Sequence, residues 1–468
     1  MYKRQNLGDE KFEDVTDTAL PEMLTSSHSV ASVDFDHDGD LDLFVGSRSV
    51  PGKYPLTPKS HLLINDDGVF QIADADQSGG VEDVGLVNSA VWSDFDYDGW
   101  PDLLVATEWG PISVFKNEEG KLVNVTQSVG LSQQFGWWHG ITAADLDADG
   151  DMDYVVTNQG RNTKYHATPD HPHRLYYDDF DGNGTLDLVE AEYEGDTEYP
   201  VRGRSCSSRC MPFIADKFKT FKDYSLASIS DIYQVQESPR PVKELRFLDS
   251  VVLWNEEGST LRMEALPKLA QISPSYGVGV SDFDNDGFQD IMMATNFFSS
   301  QPETGYMDGG LGWFLKGGKD KQFQVSWPNR SGVFIDGDAN GLALIDVDND
   351  GDQDAIFAVN NQPFRLLKNE SDSPSVRVVI EGVPGNAAGI GTRFVLLSDE
   401  ASVRPAFEIS AGGSYLSQSS AQPTIAMSAL EKTRSIKIHW PDATESNLAD
   451  PKPENGRLVL RYPQNEAR

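Results

Sequence analysis

Aspartates at alternate positions of a short loop are the residues of this chain that most clearly predict chemistry. In the stretch DFDHDGDLDLFVG, Asp34, Asp36, Asp38 and Asp42 place carboxylates at positions 1, 3, 5 and 9. Gly39 at position 6 permits a sharp turn, because glycine reaches positive φ at little cost. Calcium prefers about six to eight hard oxygen ligands arranged in this way. The loop therefore predicts a calcium site.

Five further loops repeat this pattern, with glycine always at position 6. Acidic turns that arose by chance would not keep glycine at one offset, and carboxylates this crowded repel one another unless a cation lies among them. The sequence therefore predicts up to six Ca²⁺ ions. The predicted ligands at positions 1, 3, 5 and 9 are Asp94, Asp96, Asp98 and Asp102; Asp145, Asp147, Asp149 and Asp153; Asp179, Asp181, Asn183 and Asp187; Asp282, Asp284, Asp286 and Asp290; and Asp346, Asp348, Asp350 and Asp354. The predicted set also includes the residues at position 7, which are Asp40, Trp100, Asp151, Thr185, Phe288 and Asp352.

An EF-hand begins with the same residues, but it needs a bidentate glutamate at position 12 and a helix after the loop. The loops here are followed by short apolar runs such as LDLFVG and PDLLVA, which are typical of buried strands. We therefore expect turns between β-strands. The ion should be structural, because the side chains of the loop already saturate it. Position 12 is occupied by Val45, Val105, Val156, Glu190, Met293 and Phe357.

The composition excludes some partners. The chain has 38 lysines and arginines against 74 aspartates and glutamates, a formal net charge of −36 that six calcium ions would reduce to about −24. Nucleic acid is therefore excluded, since nothing here would neutralise phosphates. We expect an extracellular, cell-surface or periplasmic protein, where salt screens the charge and calcium is plentiful. The first residues lack the apolar core of a signal peptide, so a leader would already have been removed. No stretch approaches the ~18–20 apolar residues of a membrane span.

Around each loop the sequence predicts the same order of elements, which is strand, calcium loop, strand, connection, strand, turn and strand. Four-stranded units at a period of roughly 40–60 residues predict an all-β fold of the β-propeller type. The third and fourth loops begin too close together for a full unit, so residues 173–193 are expected to form the outer hairpin of the third unit. Apolar residues at helical spacing predict a helical insertion over about 203–240. The propeller should span 1–372 and a second β domain 373–468. Cys206 and Cys210 could form a local disulfide or remain free thiols.

These motifs resemble two known families. The aspartate repeats with their apolar runs resemble the FG-GAP/VCBS repeats of integrin α-like propellers. The stretches GIGTRF, from Gly389 to Phe394, ISAGGSYLSQS and IKIHWPD resemble the ASPIC/UnbV domain. Together they are similar to the cartilage acidic protein family. The resemblance implies a secreted, calcium-loaded propeller of seven blades, or of six, with a small C-terminal β-sandwich-like domain. It implies adhesion or ligand binding, with no settled enzymatic activity.

The connections between second and third strands lie opposite the calcium loops, and they carry aromatic, amide and basic side chains. Such groups at the mouth of a propeller suit a glycan or an extracellular protein ligand. Alternatively, these side chains only stabilise long loops. The candidates are Arg48, Tyr54, Trp109, Asn158, Arg161, Tyr165, His166, His171, His173, Asn296, Tyr306 and Asn360, with Trp137, Trp138 and His139 at a strand entry on the same side.

A second hypothesis is a calcium-stabilised, polysaccharide-degrading enzyme of the lyase type. Tyr165, His166 and Arg161 are its candidate catalytic residues, because a histidine could serve as general base beside a tyrosine and an arginine. The histidines match no metal-binding spacing, and the chain lacks the G-x-S-x-G, P-loop and dinucleotide-binding motifs. The sequence therefore favours a binding module over an enzyme, and it leaves the oligomeric state open.

Overall fold

The computed structural model describes residues 3–236, 239–301, 304–319, 321–399 and 404–463. These residues are mostly β and form sheets whose strands pair almost entirely antiparallel, which confirms the predicted all-β fold class. The long parallel exception is a pair of strands near the C-terminus. Within the described residues, no helix is both long and apolar enough to cross a membrane.

Five sheets in the described residues before position 372 have the strand order of a propeller blade, in which strands neighbour one another in chain order. We call them blade sheets 1 to 5. Blade sheet 1 follows a separate hairpin, β1 (Arg4–Gly8) and β2 (Lys11–Asp14), and helix α1 (Thr16–Ala19). Its strands are β3 (Ser26–Val33), β4 (Asp42–Ser49), β5 (His61–Asp66) and β6 (Val69–Ile72). Blade sheet 2 follows α2 (Ala75–Ser78) and the 3-10 helix Val81–Asp83, and contains β7 (Leu86–Ser93), β8 (Asp102–Gly110), β9 (Ser113–Asn117) and β10 (Leu122–Asn124), with β11 (Gly136–Trp137) paired to β8.

The remaining blade sheets continue this order, although the third is interrupted. Blade sheet 3 contains β12 (Ile141–Ala144), β13 (Asp153–Val156), β18 (Val251–Glu256) and β19 (Thr260–Ala265), followed by the 3-10 helix Lys268–Gln271. Blade sheet 4 contains β20 (Ser275–Ser281), β21 (Asp290–Thr295), β22 (Trp313–Lys316) and β23 (Gln324–Ser326). After α7 (Pro328–Ser331), blade sheet 5 has three strands, β24 (Ala339–Ile345), β25 (Asp354–Val359) and β26 (Arg365–Leu367).

The core lies between successive blade sheets, which pack face to face. Phe44 of blade sheet 1 shares a buried cluster with Trp92 of blade sheet 2, and Trp254 of blade sheet 3 shares another with Trp313 of blade sheet 4. A strand covered on both faces is buried along its length, and all eight residues of β7 are buried, including the polar Asn88, Ser89 and Ser93. First strands of successive sheets lie beside one another. This arrangement is that of a propeller, but seven or six blades are not confirmed, because the described residues form five blade sheets.

The third blade sheet contains a large insertion, residues 157–250, between β13 and β18. It forms a four-stranded sheet of order β16-β15-β14-β17 and four short helices, which confirms the predicted helical insertion. The expected outer hairpin at 173–193 is wrong, because Tyr154 of β13 pairs with Leu253 and so leaves no edge for that hairpin. The insertion consists of β14 (His173–Asp178), β15 (Asp187–Glu194), β16 (Thr197–Pro200), α3 (Arg204–Cys210), α4 (Phe213–Lys217), α5 (Phe221–Ser225), α6 (Ile229–Tyr233) and β17 (Val242–Leu245). Cys206 and Cys210 are free and exposed on α3.

The C-terminal region forms two sheets over one apolar core that includes Phe394 and Trp440, as expected for a small sandwich-like domain. One sheet has the order β30-β27-β33, with β27 and β33 parallel, and the other has the order β29-β28-β31-β32. The elements are β27 (Ser375–Glu381), β28 (Arg393–Ser398), β29 (Ala406–Glu408), β30 (Thr424–Ala426), α8 (Met427–Leu430), β31 (Thr433–His439), β32 (Glu445–Ala449) and β33 (Arg457–Arg461).

Residues 410–420 leave this domain and run along the first strands of the blade sheets. We call them the axial segment. Because the segment touches all five first strands, those strands surround it. Its hydrogen bonds reach Ser32 of β3, Ala90 of β7, Ile141 of β12, Val278 of β20 and Leu344 of β24, with donor–acceptor distances of 2.6–3.0 Å.

Candidate functional site

The predicted calcium loops join the first and second strands of the five blade sheets, and the fourth loop joins β14 to β15 in the insertion. In each of loops 1 to 5, carboxylate oxygens from positions 1, 3 and 9 lie within 4.8 Å of one another. A strand follows every loop where an EF-hand would have a helix. The expectation of β-turn loops is therefore confirmed, and these acidic groups could hold metal ions.

Backbone hydrogen bonds explain why the carboxylates converge. The position 1 aspartate accepts from the backbone N–H of the position 6 glycine at 2.8–3.2 Å in all six loops. The position 9 aspartate accepts from the N–H of position 2, also at 2.8–3.2 Å. In the blade sheets its other oxygen accepts from an N–H at the end of the third strand, at 2.7–2.8 Å. Each loop in a blade sheet is therefore bonded to three strands.

Several of these carboxylates carry a buried oxygen that accepts no hydrogen bond. Asp34 and Asp36 of loop 1, Asp94 of loop 2 and Asp145 of loop 3 each have such an Oδ1. Burial raises the pKa of Asp34, Asp94 and Asp145 to about 7. Buried anionic oxygens without a donor are costly, and a hard divalent cation would satisfy them. The residues therefore fit such an ion.

Positions 3 and 5 also meet lysines in some loops. Lys116 contacts Asp96 at short range and Asp98 at 2.9 Å, both in loop 2. Position 5 additionally supports the turn, because Asp38 Oδ1 accepts from the N–H of Asp40 at 2.9 Å. The orientation of the position 7 carbonyl groups remains a prediction.

Sequence analysis missed an asparagine that links neighbouring loops. Asn117 at the end of β9 donates through Nδ2 to the carbonyl of Phe35 in loop 1 at 2.9 Å. Asn255 donates in the same way to Phe95 of loop 2 at 2.8 Å. Both residues begin an N-E-E-G turn, and this repeated sequence was the available signal.

The loops also contact the C-terminal domain. The N–H of Ala406 donates to Oδ2 of Asp145 at 2.8 Å, and the N–H of Asp94 donates to Oε1 of Glu408 at 3.0 Å. The guanidinium of Arg393 lies 4.6 Å from the ring centre of Tyr97 in loop 2. The domain therefore covers the face of the propeller that carries the loops.

A cavity of about 400 Å³, which we call the mouth cavity, is lined by residues at the strand ends that lie farthest from the calcium loops and on the adjoining connections. It lies where the second-to-third connections meet, away from the calcium loops. Its walls combine aromatic rings, amides and charged pairs. The lining includes Arg48, Glu108, Trp137, His139, Gln159, Lys164, Tyr165, Glu190, Arg202, Tyr276, Phe297, Gln301 and Tyr415.

The charges in the mouth cavity are paired. Arg48 forms an ion pair with Glu108, which also accepts from the hydroxyl of Tyr54 at 2.5 Å. Glu190 lies 3.6 Å from Arg202 and 4.0 Å from Lys164. Because each cation faces a carboxylate, the cavity lacks a strong excess of positive charge.

Residues 94–156 match the FG-GAP-like repeat, and residues 382–467 match the ASPIC and UnbV family. The chain contains both an FG-GAP-like repeat and an ASPIC/UnbV domain. The predicted resemblance to these two families is thereby confirmed, whereas neither match singles out the cartilage acidic protein family.

No curated protein sequence matches the chain. Similar solved structures include exotype rhamnogalacturonan lyase YesX, with 11% identity, 73% of this chain and 57% of that chain covered, and a TM-score of 0.27. Rhamnogalacturonan lyase YesW has 11% identity, coverage of 93% and 78%, and a TM-score of 0.27. BBS1N in complex with ARL6DN has 9% identity, coverage of 76% and 96%, and a TM-score of 0.22. At these TM-scores the similarities carry no argument about activity, and the chain spans little more than half of YesX.

The structure brings only part of the predicted mouth set together. Arg48, Trp137, His139 and Tyr165 line the cavity. Tyr54 and Trp109 lie behind it, where Trp109 Nε1 donates to the Tyr54 hydroxyl at 2.5 Å. The ring of Trp109 meets Trp137 edge to face at 5.0 Å. Tyr54 and Trp109 therefore pack behind the residues that line the cavity and support them.

The other predicted mouth residues have structural or peripheral positions. Asn158 and Asn296 are buried and bond backbone carbonyls, and Trp138 is in the core. His173 is buried, the ring of His171 lies 5.0 Å from that of Tyr193 at an angle of 41°, and Asn360 donates to Asn340. Tyr306 is exposed beside Phe298.

The candidate catalytic set is not assembled. Arg161 forms an ion pair with Asp249, His166 is exposed, and neither lines the mouth cavity beside Tyr165. Sequence analysis associated the three because they are close in the chain, but the connection that carries them turns their side chains to different environments.

Residues missed by sequence analysis complete the cavity. Glu108, Glu190 and Tyr276 lie in strands, whereas Lys164 and Arg202 lie on connections in which other residues were the predicted candidates. Tyr415 comes from the ASPIC/UnbV domain, and nothing in its local sequence places it across the propeller.

Proposed function

We propose that this chain is an extracellular calcium-binding propeller that binds a carbohydrate chain in its mouth cavity and acts as an adhesion or recognition module. The observation that supports this function is the composition of the cavity. Aromatic rings, including Trp137, Tyr165 and Tyr276, lie among paired charges and amides in one concave site of about 400 Å³.

Carbohydrate chemistry suits this lining. A sugar ring offers apolar C–H faces that pack against aromatic rings, and its hydroxyls both donate and accept hydrogen bonds. The Arg48–Glu108 pair and the group of Glu190, Lys164 and Arg202 present donors beside acceptors. Because the cations already have carboxylate partners, a hydroxylated ligand fits better than a polyanion. If none of the sugars in the test below binds, a protein is the ligand class that remains.

Calcium would have a structural role. The aspartates at positions 1, 3, 5 and 9, together with the carbonyl group at position 7, would hold the ion, which would neutralise the clustered carboxylates. The loop aspartates themselves join the first, second and third strands of each blade sheet, so a filled loop would stiffen the scaffold behind the mouth. Millimolar calcium outside the cell and the net charge of −36 support an extracellular location.

Binding is tested by isothermal titration calorimetry of the full chain in calcium against cellotetraose, xylotetraose, tetragalacturonate and a hyaluronan tetrasaccharide. We expect one neutral sugar to bind, and Trp137→Ala to weaken that binding at least about tenfold, as loss of an aromatic contact predicts. Tyr306→Ala is the matched control, because Tyr306 is an exposed aromatic outside the cavity. Absence of binding to every sugar would reject the carbohydrate proposal.

The same mixtures report on catalysis. A lyase would generate unsaturated products, which absorb in the ultraviolet. Because the side chains of His166 and Arg161 lie outside the cavity that Tyr165 lines, we expect no such absorbance. Turnover that disappears in Tyr165→Phe would replace the binding proposal with the enzymatic one.

A further inference from the structure

We propose that the ASPIC/UnbV domain forms part of the carbohydrate site, with Tyr415 contacting the ligand at the floor of the mouth cavity. This inference rests on the proposed function and adds a residue and a domain to it. The domain lies over the calcium loops on one face, yet Tyr415 lines a cavity on the other face.

The axial segment provides the route between the two faces. It begins just after Glu408, which accepts from the N–H of Asp94 in loop 2. Ser414 then donates its N–H to the carbonyl of Ile141 at 2.6 Å, and its hydroxyl accepts from the N–H of Val278 at 3.0 Å. The segment is thus fixed at both ends and at its centre.

The fit of the segment is too close for an ordinary side chain at one position. Gly412 has φ +122°, and a Cβ there would lie 2.6 Å from Cβ of Ala31 and 3.2 Å from the carbonyl oxygen of Ala90. Only glycine avoids this overlap and adopts this φ without strain. The sequence AGGS therefore lets the chain pass between β3 and β7 on its way to Tyr415.

The backbone on both sides of Tyr415 is strained. Ser414 has φ 52° and Leu416 has φ 47°, and such left-handed conformations are unfavourable for residues other than glycine. Strain of this kind persists only where the surroundings impose it, and it clusters at ligand sites.

The ring of Tyr415 belongs to an aromatic floor built from three blade sheets. Its centre lies 5.1 Å from Tyr276, 5.4 Å from His28 and 6.1 Å from His139. Its hydroxyl interacts with Arg48, whose partner is Glu108 in the wall. A sugar seated between this floor and the wall of Trp137 and Tyr165 would meet a ring face and hydroxyl-bonding groups together.

The position of Tyr415 can be tested without any ligand. In a Cys206→Ser, Cys210→Ser background, which removes the two exposed thiols, Tyr415→Cys should react with a small methanethiosulfonate reagent in the native, calcium-loaded protein. Ser47→Cys, fully buried in β4, is the unreactive control. Failure of Tyr415→Cys to react while the protein is folded would overturn the inference.

The role of Tyr415 is tested by calorimetry with the four tetrasaccharides named above. We expect Tyr415→Ala to weaken binding about tenfold, and Tyr415→Phe about two- to fivefold through loss of one hydrogen bond. The Phe variant keeps the ring and guards against misfolding, and unchanged melting in calcium checks both variants. Unaltered affinity in both variants overturns this inference alone, whereas absence of binding by the wild type rejects the carbohydrate proposal and this one with it.

Discussion

The third and fourth loops have almost the same ligand pattern but very different surroundings. In loop 3, Asp145 and Asp153 are buried, and burial raises their pKa values to about 7 and about 8. In loop 4, Asp179, Asp181 and Asp187 are only half-buried, and none has an orphaned oxygen. The motif therefore specifies the geometry of the loop, while burial within the fold determines how much a bound ion would add to the free energy of unfolding.

The difference follows from what surrounds each loop. Loop 3 lies between blade sheets and beneath the ASPIC/UnbV domain, where Arg404 donates its N–H to the carbonyl of Ala148 at 2.8 Å. Loop 4 projects from the insertion, where the ring of Phe180 lies 5.2 Å from that of Tyr233 and 5.5 Å from the guanidinium of Arg240. A cation in loop 3 would replace missing hydrogen bonds, whereas a cation in loop 4 would mainly replace water.

Removal of metal should have the largest effect. Adding a chelator to the calcium-loaded protein should lower the melting temperature by more than about 10 °C, since each site filled at a hundredfold excess over its Kd contributes about 2.7 kcal/mol. In a chelator titration followed by calorimetry, the ion of loop 4 should leave first with little change in melting. A melting curve insensitive to saturating chelator would contradict structural metal in the blade sheets.

Single substitutions should separate the two loops. Asp153→Asn should lower the free energy of unfolding in calcium by about 3 kcal/mol, because it removes a buried ligand from an ion that holds three strands. Asp187→Asn, the same change at the same position of loop 4, should cost less than about 1 kcal/mol. Denaturant unfolding measures the free energy of unfolding of both variants. Equal decreases would show that burial does not determine how much each loop contributes to stability.

Burial should distinguish two histidines in the same way. Burial lowers the pKa of His139 to about 4, whereas His166 is exposed. The pKa of His139 in the folded protein lies below its unfolded value near 6.5. The stability that neutral His139 contributes is therefore complete above pH 6.5, and about 2–3 kcal/mol of it is lost as the pH falls towards 4. Unfolding of His139→Gln in calcium should have a shallower dependence between pH 6.5 and 4.5 than the wild type. His166→Gln, which replaces an exposed histidine, is the control variant, and a slope preserved in His139→Gln would refute the assignment.

The smallest predicted effect concerns Lys116, whose positive charge lies beside the carboxylates of loop 2. Lys116→Met should raise the calcium affinity of loop 2 about two- to fivefold by removing a positive charge beside Asp96 and Asp98, a modest change because Lys116 is partly solvated. Lys121→Met is the control, since Lys121 pairs with Asp76 outside any loop. Calcium titrations monitored by calorimetry would detect the difference, and a reduced affinity would mean that Lys116 helps to position the ligands.

The sequence predicted local structure well because the loops are local. Positions 1, 6 and 9 lie within nine residues, and their hydrogen bonds close inside that span, as between Gly39 and Asp34. The strand after each loop also follows from its apolar run. The insertion was harder, because β13 pairs with β18 across almost a hundred residues and nothing near Val156 indicates that its partner is so distant.

The mouth could be predicted only in part for a similar reason. Arg48 lies at the end of β4 and Tyr165 on the connection that follows β13, and a blade topology places both at one end, so counting strands located them. Tyr276 lies within a strand and Tyr415 on a serine- and glycine-rich stretch that resembles a surface loop. Side chains and backbone groups of that stretch bond to five distant strands, and this pattern has no period along the chain.

The axial segment also affects how the chain is made. Ribosomes release the blade sheets first, yet the last hydrogen bonds of their innermost strands go to residues 410–420. The nascent propeller must therefore keep its centre accessible until the C-terminal quarter emerges, and contacts across this sequence separation form slowly. A polypeptide that ended before residue 410 would leave the groups of these strands that bond to the axial segment without those partners.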